Sequence, residues 1–244
     1  MKNFLTGFRY FTSGFALISK PRLRRFVIIP LLINILLFAG LLWVATQWIT
    51  EIAHYLVQLL PIWLEWLSFL VWPIFIIASL LLVFFSFSVI ANFLAAPFNS
   101  LLAETTEQYL TGKTIQGGWK QIIKDTLPSL WAELRKLFYY LLRIIPLGIL
   151  FLIPVINLAA PVLWTLFGMW MMAIQYADYP MANQRIFFRE QRKRLRKKRM
   201  VSLGFGAAVM LFTLIPVINF FVMPVAVCGA TRMWVKEPHL HNKA

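Results

Sequence analysis

The chain has few of the residues from which most enzymes and metal sites are built. It contains 9 acidic residues, 3 histidines and a single cysteine in 244 residues. Cys228 alone cannot form an internal disulfide, and the few Cys and His residues form no metal-binding cluster. No glycine-rich phosphate loop, H-E-x-x-H or G-x-S-x-G pattern occurs either. We therefore expect no metal, no cofactor and no enzymatic activity, and we identify no catalytic residue.

Charged side chains are also missing from long parts of the chain, although 24 basic residues give a net charge of +15. Hydrophobic residues make up 60% of the chain, and the mean hydropathy is +0.73. Such a composition is typical of integral membrane proteins and excludes an ordinary soluble domain. We predict an all-α protein that forms a single membrane domain, residues 1–244.

Two charge-poor stretches, 26–50 and 66–103, predict long transmembrane helices. The segment before them, 1–25, places phenylalanines at helical spacing from Phe4 to Phe15, which predicts an amphipathic helix on the membrane surface. The mixed segment 104–143 follows the second span. Its amphipathic pattern predicts cytoplasmic or interfacial helices, after a break at Gly117-Gly118.

The hexapeptide L-I-P-V-I-N occurs at 152–157 and again at 214–219. Each copy lies near the middle of a charge-free stretch, 144–177 or 200–231. Each stretch is too long for one span of about 20 residues and too short for two comfortable spans. Helix-breaking or polar residues lie near both midpoints, and we predict the turns at Pro154, Asn157, Pro161, Pro216, Asn219 and Pro224. The pattern favours two helical hairpins that partly penetrate the membrane, and six short, tilted spans are the alternative.

The distribution of Lys and Arg predicts the orientation. Six basic residues lie in 1–25, none in 26–98, six in 113–143 and nine in 185–199. By the positive-inside rule, the basic segment 178–199, the tail 232–244 and both termini are cytoplasmic. The basic cluster at 185–199 lacks base-stacking aromatics, and membrane segments flank it, so we expect it to contact anionic lipid headgroups rather than nucleic acid.

A further basic motif, Lys20-Pro21-Arg22-Leu23-Arg24-Arg25, lies just before the first predicted span, in what we expect to be a loop. Free N–H groups at a helix N-terminus attract anions, and guanidinium groups match the oxygens of tetrahedral oxyanions. The motif therefore predicts a sulfate- or phosphate-sized anion site. A basic membrane flank that binds lipid headgroups is the simpler alternative.

Polar side chains within the predicted spans are few. Asn34 and Asn92 are the main ones there, with Ser86 and Ser88, and Asn157 and Asn219 lie in the hairpins. Such groups either form hydrogen bonds between helices or line a hydrophilic path.

Four segments of the chain, 21–34, 90–104, 172–180 and 215–234, resemble the CysZ family of sulfate-uptake proteins of the bacterial inner membrane. The similarity extends over essentially the whole chain. It implies an oligomeric sulfate channel or permease that supplies cysteine biosynthesis. It also implies a fold with two long transmembrane helices and two partly penetrating hairpins.

The family has a P-G-L/I-R-R motif associated with sulfate binding, which here reads Pro21-Arg22-Leu23-Arg24-Arg25. Arg22 stands at the glycine position, where glycine would allow a positive φ or a close backbone approach. Arg22 either adds a charge to the site or weakens its backbone contribution.

The resemblance predicts that Arg24 and Arg25 capture sulfate together with backbone N–H groups near Leu23. Sulfate would then follow a path lined by polar groups, with Glu104, Arg135 and Asp178 as candidates for its cytoplasmic mouth. A membrane scaffold or regulatory subunit that binds anionic lipid or another transporter is the competing function.

Overall fold

The computed structural model describes residues 2–58, 61, 68–112 and 126–241. The described residues form helices and connecting turns, with no strand among them, which confirms the predicted all-α class. The helices are α1 (Lys2–Ile18), α2 (Pro21–Gln58), α3 (Ser68–Thr111), α4 (Thr126–Leu150), α5 (Ala160–Asn183), α6 (Phe188–Lys197), α7 (Arg199–Thr213), α8 (Pro216–Lys236) and α9 (Pro238–His241), with a 3₁₀ turn at Ile156–Leu158.

Three helical segments among the described residues are long and apolar enough to cross a membrane: Pro21–Trp48, Ile156–Asn183 and Pro216–Lys236. The first is the predicted first span, and the other two are the second arms of the predicted hairpins. The chain divides into two compact units, one of residues 1–27 with 99–244 and the other of residues 28–98.

Both long helices extend beyond their predicted bounds. α2 has 38 residues and begins five residues before the predicted start at 26. At 1.5 Å per residue it is roughly 57 Å long, although Pro30 lies inside it. α3 has 44 residues and continues past the predicted end at 103 to Thr111. The predicted break at Gly117-Gly118 lies outside the described residues.

The surface of residues 28–98 is strongly apolar. Leu36 is 71% exposed and Leu82 is 69% exposed, and most of the large side chains around them are also exposed. Exposure of such a surface to water is unfavourable, whereas contact with the hydrocarbon of a lipid bilayer is not. This unit therefore has the surface expected of helices in lipid.

The core of the other unit forms where α1 packs against α7 and α8, with α5 on the far side of α7. Phe11 is fully buried and meets the rings of Phe205 and Phe212 at centroid distances of 6.1 and 5.2 Å. The phenylalanine stripe that we predicted to face the membrane instead packs largely against protein. The amphipathic pattern was recognised correctly, but the sequence did not show which apolar surface would cover it.

Glycines allow this packing because helix backbones touch through them. A Cβ atom at Gly7 would lie 1.9 Å from the carbonyl oxygen of Val201, and one at Gly204 would lie 1.9 Å from that of Phe4. A Cβ atom at Gly206 would lie 1.7 Å from the carbonyl oxygen of Met169. No side chain larger than hydrogen fits these positions without moving a helix.

The first hairpin consists of α4 and α5, joined by a turn at 151–159. Pro154 and Asn157 lie in this turn, and Pro161 lies in the first turn of α5. Val155 has φ of 70°, an unfavourable value for a β-branched residue. α4 has 25 residues, because it begins at Thr126, well before the charge-free stretch that starts at 144.

The second hairpin consists of α7 and α8, and its turn is at Leu214–Ile215. Pro216 opens α8, Asn219 lies in the first turn of α8, and Pro224 lies inside α8 rather than at the turn as predicted. The two copies of the hexapeptide therefore differ in conformation, since the first forms a turn and the second begins a helix. Because the two hexapeptides are identical, residues outside them decide this difference.

A polar cluster joins the C-terminal end of α8 to α1 and to the start of α7. The Glu237 carboxylate accepts a hydrogen bond from the Tyr10 hydroxyl at 2.9 Å and pairs with Lys198 Nζ at 2.9 Å. His239 Nδ1 lies 3.2 Å from the same carboxylate. Burial alone would raise the pKa of Glu237, but these donors and the positive charge of Lys198 outweigh it and hold the pKa below its usual value.

Candidate functional site

The arginine motif forms the first turn of α2 rather than the loop that we predicted. Pro21 is the first helical residue, a position that suits its fixed φ and missing N–H. Arg22, Arg24 and Arg25 are exposed, while Leu23 is fully buried. Three guanidinium groups therefore reach solvent beside the positive end of a helix dipole, an arrangement that attracts anions.

Leu23 fixes this turn to the protein. It belongs to an apolar cluster with Leu17 of α1, Leu102 and Ala103 of α3, and Val227 and Cys228 of α8. Burying a leucine side chain contributes about 1.5 to 3 kcal/mol. Within the motif, one buried anchor, Leu23, therefore lies between exposed basic residues on either side.

The backbone amides of the turn are mostly engaged. The N–H groups of Leu23 and Arg24 both donate to the carbonyl oxygen of Lys20, each at 2.9 Å. The resemblance implies backbone donors near Leu23, and the amide of Leu23 itself is engaged by Lys20. The N–H of Arg22, in the same turn, donates to no backbone carbonyl within the described chain.

Arg22 occupies the glycine position of the family motif without a positive φ. It is helical, and the non-glycine residues with positive φ in the described chain are Val155 and Arg185. Its side chain is exposed, so nothing crowds it. The replacement of glycine therefore adds a charge and does not strain the backbone.

A second group of charged side chains lies where α4 contacts α5. Lys136 Nζ is 3.1 Å from the Asp178 carboxylate and 2.6 Å from that of Glu133, and the Lys136 side chain is only 8% exposed. Burial favours a lower pKa for Lys136, but the two carboxylates outweigh it and raise the pKa. The two carboxylates therefore favour the charged form of Lys136.

Of the predicted pathway residues, Asp178 belongs to this group and Arg135 does not. Arg135 is exposed, and its guanidinium lies over the ring of Trp131 at 5.3 Å. The place of Arg135 in a pathway stays a prediction, and Lys136 is the basic residue of α4 that contacts Asp178. The spacing of Glu133 and Lys136, three residues apart on one helix, was the signal available for it.

Glu104 lies in the last turns of α3, half-buried, with the Gln108 amide 3.4 Å from its carboxylate. One turn further, Glu107 is buried and accepts a hydrogen bond from Trp234 Nε1 at 3.2 Å. Its second oxygen, Oε2, is buried without a partner in the described chain. Sequence reasoning missed Glu107, although its carboxylate is buried.

Asn34 lies in α2 and is half-buried, as is Ser86 in α3. Asn92 and Ser88 also belong to α3, but their side chains lie outside the described set. Their part in a pathway stays a prediction. Among the described residues, no group of three or more His, Cys, Asp or Glu side chains is placed to hold a metal ion.

Comparison with known proteins gives two concordant results. Residues 10–224 match the family model described as sulfate transporter CysZ/etoposide-induced protein 2.4. A protein of Pectobacterium atrosepticum named sulfate transporter CysZ is 49% identical over 236 residues, which cover 94% of this chain and 84% of that protein. The chain, an all-helical membrane protein with an arginine-rich turn at the start of its first long helix, belongs to the sulfate transporter CysZ/etoposide-induced protein 2.4 family.

Proposed function

We propose that this protein carries sulfate across the bacterial inner membrane. The observation that carries the proposal is the similarity to the Pectobacterium protein named a sulfate transporter, at 49% identity along nearly the whole chain. The exposed arginines at the start of α2 support it, because they supply positive charge suited to a dianion.

Sulfate is captured first at Arg24 and Arg25, with Arg22 as a third positive charge. The Arg22 amide, rather than that of Leu23, is the backbone donor open to the anion. Leu23 holds the turn in place, so that little conformational entropy is lost when the anion binds.

Beyond this site, we propose a hydrophilic path to the cytoplasm that uses Asn34, Asn92, Glu104 and Asp178. Lys136 replaces Arg135 as the basic residue of this path, because its charge lies buried against Asp178. As the family resemblance implies, several copies of the chain form the pathway, the termini are cytoplasmic, and the sulfate supplies cysteine biosynthesis.

Transport is tested with purified protein in liposomes and radiolabelled sulfate. We expect influx above that of protein-free vesicles, and equal uptake in both would contradict transport. Binding of anionic lipid without flux in any reconstitution would instead favour the scaffold function.

The binding site is tested separately by replacing Arg24 and Arg25 with alanine. Each lost charge-assisted hydrogen bond is worth about 1.5 to 3 kcal/mol, so sulfate affinity should fall at least tenfold. The variant Lys2→Ala/Arg9→Ala is a matched control, since it removes two exposed basic residues of α1. Equal affinity in both variants would remove the proposed site and leave transport itself untouched.

A further inference from the structure

A groove between α4 and α6 has a basic rim and an apolar wall. Its volume is about 380 Å³, and four arginines line it: Arg135, Arg143, Arg189 and Arg192. None of these four forms an ion pair within the described part of the chain. The groove therefore concentrates positive charge that no acidic side chain of the described residues neutralises.

The floor of the groove is a fixed aromatic ring. Tyr139 is 6% exposed, its hydroxyl accepts a hydrogen bond from Trp170 Nε1 at 3.2 Å, and Phe188 meets it edge-on at 5.3 Å. The guanidinium carbons of Arg143 and Arg192 lie 3.7 and 4.7 Å from the centre of this ring. The ring holds both cations in place by cation–π attraction.

The two held guanidinium groups repel each other. Because both lie close to one ring, their carbons are no further apart than the sum of the two distances, about 8.4 Å. In addition, Nε of Arg192 is shielded from solvent and has no acceptor within the described chain. A bound anion would relieve both the repulsion and the unmet donor.

The remaining lining is apolar and open to the surroundings. Phe138 and Leu142, on α4, are 64% and 54% exposed. A small inorganic anion gains nothing from such a wall, whereas an acyl chain buries it. The groove also lies at the base of the first hairpin, next to Ile144, where the charge-free stretch begins.

We propose that this groove is a binding site for an anionic phospholipid. The phosphate contacts Arg143, Arg189 and Arg192, and the first acyl carbons lie along Phe138 and Leu142. The site concerns the lipid and not the transported solute, so it stands whether or not the chain carries sulfate.

Native mass spectrometry of the purified protein in neutral detergent, titrated with phosphatidylglycerol or phosphatidylcholine, tests the site. We expect phosphatidylglycerol to be retained more strongly. Each arginine removed should weaken its retention roughly fivefold, so retention by Arg143→Gln/Arg192→Gln should fall about 25-fold. Arg196→Gln/Arg199→Gln is the matched control, because both residues are basic, exposed and outside the groove.

Because Arg143 and Arg192 pack on the Tyr139 ring, their replacement can also disturb folding. Arg189→Gln alters an exposed side chain of the same groove and should still weaken phosphatidylglycerol retention roughly fivefold. Equal retention of the two lipids, or equal losses in the groove and control variants, would overturn the proposal. Displacement of the lipid by millimolar inorganic phosphate or sulfate would do so too, because it would identify a site for free oxyanions.

Discussion

Replacing Gly204 with alanine should push α1 away from α7. The new Cβ atom would lie 1.9 Å from the carbonyl oxygen of Phe4, whereas ordinary contacts are 3.4–4 Å. A Cβ atom at Gly7 would likewise lie 1.9 Å from the carbonyl oxygen of Val201, so the two backbones leave no room for a side chain at either glycine. Relief requires the helices to separate by about 1.5 Å, because the nearest atoms of Phe4 all belong to its backbone and not to a flexible side chain.

Such overpacking costs about 1 to 3 kcal/mol in well-packed cores. For a chain of this length each kcal/mol lowers the unfolding temperature by roughly 2 to 4 °C, so we expect a decrease of about 2 to 12 °C. Thermal unfolding of detergent-purified protein, followed by size-exclusion chromatography after heating, measures it.

Gly168→Ala is the control, because the nearest atom to its new Cβ is Met210 Sδ at 3.5 Å, an ordinary contact with a flexible side chain. Alanine also favours a helix over glycine by up to about 1 kcal/mol, so this variant should be as stable as the parent or slightly more so. Unfolding of Gly204→Ala at the parent temperature would refute the close backbone packing. Equal decreases of the unfolding temperature in both variants would mean that the close contact between α1 and α7 is not the cause.

Two other predictions concern buried charge. Lys136→Met leaves the Asp178 carboxylate without its partner and should destabilise the protein by about 3 kcal/mol; the double variant Lys136→Met/Asp178→Asn should recover part of the loss in the same unfolding assay. Folding lowers the pKa of Glu237 from 4.5, so its contribution to stability is present above that value and is lost as the pH falls through the folded-state pKa. Between about pH 7 and pH 3, Glu237→Gln should therefore lose less stability than the parent, and parallel curves for the two proteins would contradict this.

Much of the helical architecture could be predicted from the sequence, because apolar length and charge distribution act locally. The first span was located well, since both its basic flank and its charge-free run are encoded in consecutive residues. The bounds were less accurate, because α2 and α3 continue through segments whose own composition does not require a helix. The hexapeptide showed the limit most clearly, since identical residues form a turn at 152–157 and a helix start at 214–219.

The charged groups were harder to predict, because their partners are distant in sequence. Arg135 and Lys136 are adjacent and chemically alike, and only the rotation of α4 against α5 decides which one meets Asp178. The hydrogen bond that Glu107 accepts likewise comes from Trp234, which is more than a hundred residues away in the sequence. The arginine motif was recognised from its composition. That Leu23 is buried while the arginines are exposed could not be predicted, because the burial depends on how three other helices pack around Leu23.

The packing of α1 also determines when the protein can fold. Its partners, α7 and α8, lie at 199–236, so roughly 180 residues are synthesised between α1 and the first of them. At about 5 to 20 residues per second, the N-terminal helix waits on the order of 10 to 40 seconds before its glycine contacts can form. During that time its phenylalanine stripe is uncovered, and the membrane surface is the nearest apolar phase that can hold it. The surface location predicted from the amphipathic pattern would then describe an early stage in the biogenesis of the protein, and docking onto α7 and α8 would be one of its last steps.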